Sequence, residues 1–438
     1  MRKVKNKKVL IVTYYWYPSA GVGTYRVSRF AKYLSRLGWD VVILTTEKAV
    51  AGMEGKPDDP ALDNLKVYRS RIIEPTNLLN KKNKDQGSTS NPGIFYQKDK
   101  KLLDRFAVWA RLNLMVPDAK FTWKWFAVPL GKKIIELEKP DLIFSTSPPP
   151  TTSLIAKKLA EWSNLPWLAD FRDPWTNIYY YDDNPQSPWA RKRNKRLESS
   201  VLDRADKITM VNHGFFSDSK NIIEKKSTKI PNGFDPDHIV TEQAAKEPSD
   251  KFSIRYFGSL KANQYPKAFV AALRNIEISH PEIAAQIQVE FFGSIDPIFK
   301  KDLANSVKNI TCTFTGFIQH DDMMKKVKNT DLLLLAIGRT KNSKFALSTK
   351  VFEYMISGNQ VLGIGPIDGA AAQLVNETNI GSFFEHDDME GVTEFILKSY
   401  TNSKTNQGSI PPNKSAISSY SFEKLTESLE KIMRSLLD

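Results

Sequence analysis

Short apolar runs separated by amphipathic stretches recur along the chain in two series. Lys8 to Thr13 is a β-branched run, followed by a loop that holds Gly21 and Gly23. Tyr25 to Leu37 repeats its apolar positions at helical spacing, and Trp39 to Thr45 is again a strand-like run. Strand, glycine loop, helix and strand make one βαβ unit. Asp141 to Ser145 and Trp167 to Asp170 read as later strands, with Thr151 to Trp162 the helix between them. Ile208 to Val211 adds a strand, and Lys229-Ile230-Pro231-Asn232-Gly233 is a loop that closes the series.

After a polar, proline-bearing linker at 241–251 the alternation starts again. Strands are expected at Phe252 to Phe257, Val289 to Phe292, Ile310 to Phe314, Leu332 to Ala336 and Gln360 to Ile364. Ala268 to Ile276 reads as a helix, and Ser421 to Leu437 as a terminal amphipathic one. The pattern predicts an α/β chain with two Rossmann-like, doubly wound parallel sheets and a cleft between them. The domains would be 1–240 and 252–415, with 416–438 a helix that crosses back to the first. Residues 80–100 are polar and predict a mobile loop. Lys101 to Leu114 mixes basic residues with Leu, Phe and Trp at helical spacing. A core-facing helix is the favoured reading there, and a membrane-surface helix the other.

Composition narrows the function. A chain of 438 residues with 41% hydrophobic content fits a two-domain enzyme. A single cysteine, Cys312, excludes an internal disulfide and suits a reducing compartment. Apolar runs fall short of a membrane span, and Tyr14 to Pro18 interrupts any secretory signal, so a cytoplasmic location is expected. The net charge of +14 is uneven: residues 1–250 hold 42 basic and 29 acidic side chains, residues 251–438 hold 21 and 20. A basic first half attracts an anionic membrane face or a phosphorylated substrate. Nucleic acid is disfavoured, because no recognition signature accompanies the charge.

Four motifs fall at expected strand ends, where ligands of open α/β sheets bind. The loop Gly21-Val22-Gly23-Thr24 lacks the third glycine of a dinucleotide fingerprint, since Arg26 stands there. It is either a tight turn or a backbone approach to sugar or phosphate, with Arg26 and Arg29 as counter-charges. In Ala169-Asp170-Phe171-Arg172-Asp173-Pro174-Trp175 two acids flank an arginine. Asp170 or Asp173 is a candidate proton acceptor, and a salt bridge beside a core tryptophan is the structural alternative. Gly258, Ser259 and Lys261, with Lys267 further on, are residue types that hold a diphosphate. Ser348-Thr349-Lys350 opens a helix turn carrying Glu353 and ending at Gly358, which reads equally as a phosphate site or a capped surface helix. Asp235-Pro236-Asp237 has metal-like spacing but reads as a turn, so no metal is expected.

In this order the motifs resemble the family 4 glycosyltransferases of the GT-B fold, particularly those of bacterial cell-surface polysaccharide synthesis. The stretches Tyr14 to Thr24, Pro140 to Pro149, Ala169 to Trp175, Ile230 to Asp235, Tyr256 to Gly258 and Ser348 to Gly358 carry the likeness. It implies a nucleotide-sugar donor on the second domain and a lipid-linked or glycan acceptor on the first. It also implies retained anomeric configuration and no metal or other cofactor. By position, Glu353 would bind the donor ribose, with Ser348, Thr349 and Lys350 near the diphosphate. Lys261 and Lys267 would neutralise the leaving group, and Asp170 or Asp173 stands where relatives carry a histidine. One departure is plain: Phe345 occupies the place of the first acid in the family's Glu-x7-Glu motif. A nucleotide-sugar epimerase or hydrolase and a non-catalytic GT-B module are the alternatives. The basic half would rest at the inner face of the cell membrane.

Overall fold

The computed structural model describes residues 6–47, 54–74, 102–178, 180–238, 250–405 and 411–438; the loop expected at 80–100 and most of the linker lie outside them. Two parallel sheets organise these residues. The first contains β1 (Lys8–Thr13), β2 (Asp40–Thr46), β3 (Lys66–Ser70), β4 (Leu142–Ser147), β5 (Trp167–Phe171), β6 (Lys207–Met210) and β7 (Ser227–Lys229), in the order β3-β2-β1-β4-β5-β6-β7. The second contains β8 (Phe252–Phe257), β9 (Ile287–Phe292), β10 (Thr311–Gly316), β11 (Leu332–Ala336), β12 (Gln360–Ile364) and β13 (Gly381–Phe384). Its order is β10-β9-β8-β11-β12-β13. In both sheets the winding starts at a central strand and reverses, as it does in nucleotide-binding folds.

Continuous apolar runs become strands here because both faces of a parallel sheet are covered. In β1, Leu10 and Val12 pack into one core while Val9 and Ile11 pack into the other. In β11, Leu332 and Leu334 divide from Leu333 and Leu335 in the same way. The register follows: Val9 lies opposite both Val41 and Leu142, and Leu332 opposite Ile254 and Gln360.

The chain forms two compact units, Met1–Asn232 with Phe422–Asp438, and Gly233–Ser421. The helix Phe422–Arg434 belongs to the first. It buries Phe422, Leu425, Leu429 and Met433 against the helix Val22–Arg36, with Phe422 edge-on to Tyr25 and Phe30, each at 5.6 Å. Burial of each such side chain contributes roughly 1.5–3 kcal/mol. Among the described residues no helix is long and apolar enough to cross a membrane. The helix expected at Lys101 to Leu114 spans Leu102–Asn113; Val108 and Leu112 face inward, while Phe106 and Trp109 are exposed.

Candidate functional site

Ligands of such sheets lie beyond the strand carboxyl ends at the point of reversal, which in the second unit falls between β8 and β11. The helix Lys350–Ser357 is fixed at this point by its own sequence. Val351, Phe352, Tyr354 and Met355 are buried. Tyr354 adds polar anchors: its hydroxyl accepts from the Phe257 N–H at 3.3 Å and donates to the Leu334 carbonyl at 3.3 Å. Gly358, at φ 76°, ends the helix in the left-handed conformation. Lys350 and Glu353, three residues apart, therefore share the face left open, and both are half-buried.

Lys350 lies across the backbone at Gly258. Its Nζ donates to the Tyr256 hydroxyl at 2.6 Å and stands 4.1 Å from that ring's centroid. The Tyr256 hydroxyl in turn donates to the Ser259 carbonyl at 2.7 Å. Burial pushes the Lys350 ammonium down to about 7; Glu353 opposes that shift, and Lys261 reinforces it. Burial lowers the Lys261 ammonium as well. Two partly desolvated cations that repel one another are an arrangement that a bound anion would relieve. The helix N-terminus adds its positive end: Thr349 makes no side-chain cap, and the Lys350 N–H reaches only Ser348 Oγ, at 3.4 Å. Gly258, Ser259, Lys261, Ser348, Thr349, Lys350 and Glu353 are thus grouped at one strand end. Lys267 is exposed at the start of the next helix, where it acts on Asp387, itself paired with Arg339 at 2.7 Å. Phe345 ends a short 3-10 turn, Ser343–Phe345, just ahead of Ser348.

Gly258 is required twice over. Its φ is +103°, and a Cβ there would lie 2.6 Å from Lys350 Cε. Gly258→Ala should therefore lower stability by about 1–2 kcal/mol and displace the lysine. Urea titration reads the first effect and calorimetry with a nucleotide-sugar the second; unchanged affinity would remove Lys350 from the site. Gly293, at φ +112°, was not flagged by the sequence reading, and its Cβ would meet the Gly258 carbonyl at 2.5 Å.

In the first unit the motif straddles the end of β5 and divides by burial. Asp170 is sealed, and its oxygens accept from Arg26 at 2.8 and 3.1 Å, Thr146 at 2.7 Å and Thr209 at 2.8 Å. Burial works against its charge, but Arg26 with the two hydroxyls more than offsets this and holds the carboxyl below its usual range. Arg26 also donates to the carbonyls of Ile230 and Pro231, at 2.9 and 2.7 Å. This corrects two expectations: Asp170 is too enclosed to receive a substrate proton, and Arg26 is a strut, unavailable as a phosphate counter-charge. Arg29 is likewise taken up by Asp58.

Arg172 donates to the carbonyls of Gly23, Ser147 and Pro148 and stacks over Tyr15 at 5.5 Å. It binds the glycine loop to the end of β4. Within that loop Gly21, at φ 111°, caps the first helix, and Thr24 is buried with its hydroxyl donating to the Ser19 carbonyl at 2.5 Å. Asp173 lies two residues beyond the strand end: it is exposed, and no described residue hydrogen-bonds its carboxylate. Desolvation by the surrounding protein raises its pKa, and Arg172 pulls it partly back. Trp175 is core, its indole N–H donating to Asn194 at 3.1 Å. Asp235 is fully buried and accepts the Asp237 N–H at 3.1 Å, a turn; the described residues contain no group of three or more metal-ligating side chains.

Residues 20–218 match the family described as the glycosyl transferase 4-like domain. The chain thus carries a glycosyl transferase 4-like domain within its first unit. Its fold is GT-B, and similar solved structures span nearly all of it. Sucrose-phosphate synthase from Thermosynechococcus elongatus is 14% identical, with a TM-score of 0.61 over 98% of this chain and 99% of that one. The α,α-trehalose-phosphate synthase from Burkholderia xenovorans, solved with glucose-6-phosphate, is 9% identical with a TM-score of 0.62 over 99% and 100%. HepE from Anabaena, solved with UDP and glucose, is 15% identical with a TM-score of 0.54 over 98% and 100%. At such identities the likeness speaks for the fold. No curated protein sequence matches the chain.

Tyr256 and Tyr354 lie inside motifs that the sequence singles out but were given no role there, and Gly293 and Arg339 were not flagged. Tyr256 and Tyr354 sit in apolar runs where a tyrosine reads as core, and only their hydroxyls distinguish them. Arg339 follows β11 directly, a strand-end position that could have drawn attention.

Proposed function

We propose that the protein transfers a sugar from a nucleotide-sugar to a lipid-linked or glycan acceptor in cell-surface glycan synthesis. The observation that carries the donor half is the Lys350–Lys261 pair at Gly258, beside an uncapped helix N-terminus. The C1–O bond to the diphosphate breaks as the acceptor hydroxyl oxygen bonds to C1, and the departing phosphate gains negative charge. Lys350, Lys261 and the first N–H groups of the helix meet that charge more strongly in the transition state than in the ground state. Glu353, one turn along, accepts from the ribose hydroxyls of the nucleotide. Asp173 of the first unit, exposed and raised in basicity, is the proposed base for an acceptor hydroxyl. The lysines supply the charge neutralisation, so the reaction is proposed to be metal-independent, with retained anomeric configuration. The cytoplasmic membrane face is the proposed place of action.

A panel of uridine- and guanosine-linked sugars, followed by thermal shift, tests the reading. The true donor should raise the melting temperature by mass action, and Glu353→Ala should abolish that shift while the free protein melts normally. Silence across the panel, or an unaltered shift in the variant, would overturn the donor assignment.

A further inference from the structure

The first unit carries a surface that neither its sheet nor its strand-end motifs use. On the helix Leu102–Asn113, Phe106 and Trp109 are 64% and 47% exposed and stack at 6.0 Å. Leu114 follows at 64%, Trp125 is 59% exposed, and Trp189, on the helix Pro188–Arg204, is 57% exposed. These residues lie on elements that adjoin. Ser187 N–H donates to Asn113 Oδ1 at 2.5 Å, and Gln186 donates to the Leu112 carbonyl at 3.1 Å. Trp125 and Arg193 help line a cavity of about 260 Å³, together with Val116, Phe121 and Leu197. Lys124 also lines it, and Arg193 lies over the Trp189 ring at 5.4 Å. The first turns of that helix, residues 188–197, hold Arg191, Lys192, Arg193, Lys195 and Arg196 with no acid.

We propose that this aromatic and basic face docks on an anionic lipid bilayer, with the cavity receiving part of one acyl chain. The inference deepens the reading of a lipid-linked acceptor and rests on it. Exposed tryptophans are stable at the boundary between hydrocarbon and water, where the ring is buried and the N–H stays wet. Lysine and arginine beside them place their stems along apolar surface and their charges among phosphates. The paired chemistry therefore matches an anionic membrane surface on both counts. Cations with exposed rings also occur where single-stranded nucleic acid stacks. Beside Phe121 and Trp125, however, the cavity is lined by the aliphatic Val116, Pro117, Leu154 and Leu197, which suit a methylene chain better than a base.

The test is co-sedimentation of the full chain with vesicles of phosphatidylcholine alone or mixed with phosphatidylglycerol. The wild-type protein should pellet with the mixed vesicles only. Trp125→Ala with Trp189→Ala should abolish pelleting, and Arg191→Glu with Lys192→Glu should weaken it at least about tenfold. All four side chains are exposed, so melting temperatures should not change. Absence of binding by the wild type, equal binding to neutral vesicles, undiminished binding by either variant, or displacement by a single-stranded oligonucleotide would each overturn the proposal. The nucleotide-sugar thermal shift, run on the same variants, should be unaltered. Its loss in the wild type would count against the donor reading alone.

Discussion

Asp170→Asn should cripple folding of the first unit, whereas Asp173→Asn should leave folding intact and cripple turnover. The two acids are three positions apart on one motif, yet their surroundings assign opposite roles. Removing the charge of Asp170 strands Arg26 in a setting with 2% side-chain exposure. Breaking a buried pair on one side costs about 3–5 kcal/mol. The loss should appear in urea unfolding of the first unit and be deepest near neutral pH. The Asp170 carboxyl titrates below its usual range when folded, so its contribution is present above the unfolded value and lost as acid protonates it. Asp173 carries no such burden, and its replacement should lower turnover by about 10²–10⁴ at constant melting temperature. A stable, fully active Asp173→Asn enzyme would remove it from the chemistry.

Lys350→Met should stabilise the protein while weakening donor binding. The sign follows from the direction of the shift: the folded group titrates at about 7, against 10.5 for an ordinary lysine. Between those values unfolding takes up a proton, so stability rises with pH; below about 7 the native state holds a buried charge at full cost. Methionine removes that cost and keeps the stem against Gly258 and Tyr256. A gain of about 1–2 kcal/mol, a few degrees in melting temperature, is expected below pH 7, and it should close as pH approaches 10.5. Donor affinity should fall by about 10- to 100-fold, the worth of a hydrogen bond to a charged group. The wild type should also take up a proton on binding at pH 8, visible as buffer-dependent heat; Lys350→Met should not. A variant that melts lower and binds equally well would contradict the assignment.

Much of this architecture is legible in the sequence because parallel strands covered on both faces need unbroken apolar runs. Phe252–Phe257, Leu332–Ala336 and Gln360–Ile364 were placed to the residue on that basis. Edge strands escape it: β3, Lys66–Ser70, carries two cations and is half-solvated, and β7 has only three residues. The long helices Trp123–Glu138 and Pro188–Arg204 were also missed, the first because Pro129 interrupts it and the second because its exposed face is so charged. Among the candidate residues, local motifs picked out the group around Gly258 and Lys350 but could not pair Arg26 with Asp170. Those residues are 144 positions apart, and nothing in either segment names the other. Asp170 lies within β5 and Asp173 two residues beyond its end, and their difference in burial emerges only when the strand is set in its sheet.

The helix Phe422–Arg434, which completes the hydrophobic cover of Val27 and Phe30, is synthesised after the whole of the second unit. At roughly 5–20 residues per second, the first unit waits on the order of 10–40 s after its own sheet has emerged from the ribosome. During that interval its apolar helix face is bare. The last unit to be translated can close on itself at once, while the first to appear is the last to be finished. Ribosome-stalled chains ending before residue 422 should accordingly recruit chaperones through a patch that the released protein never shows.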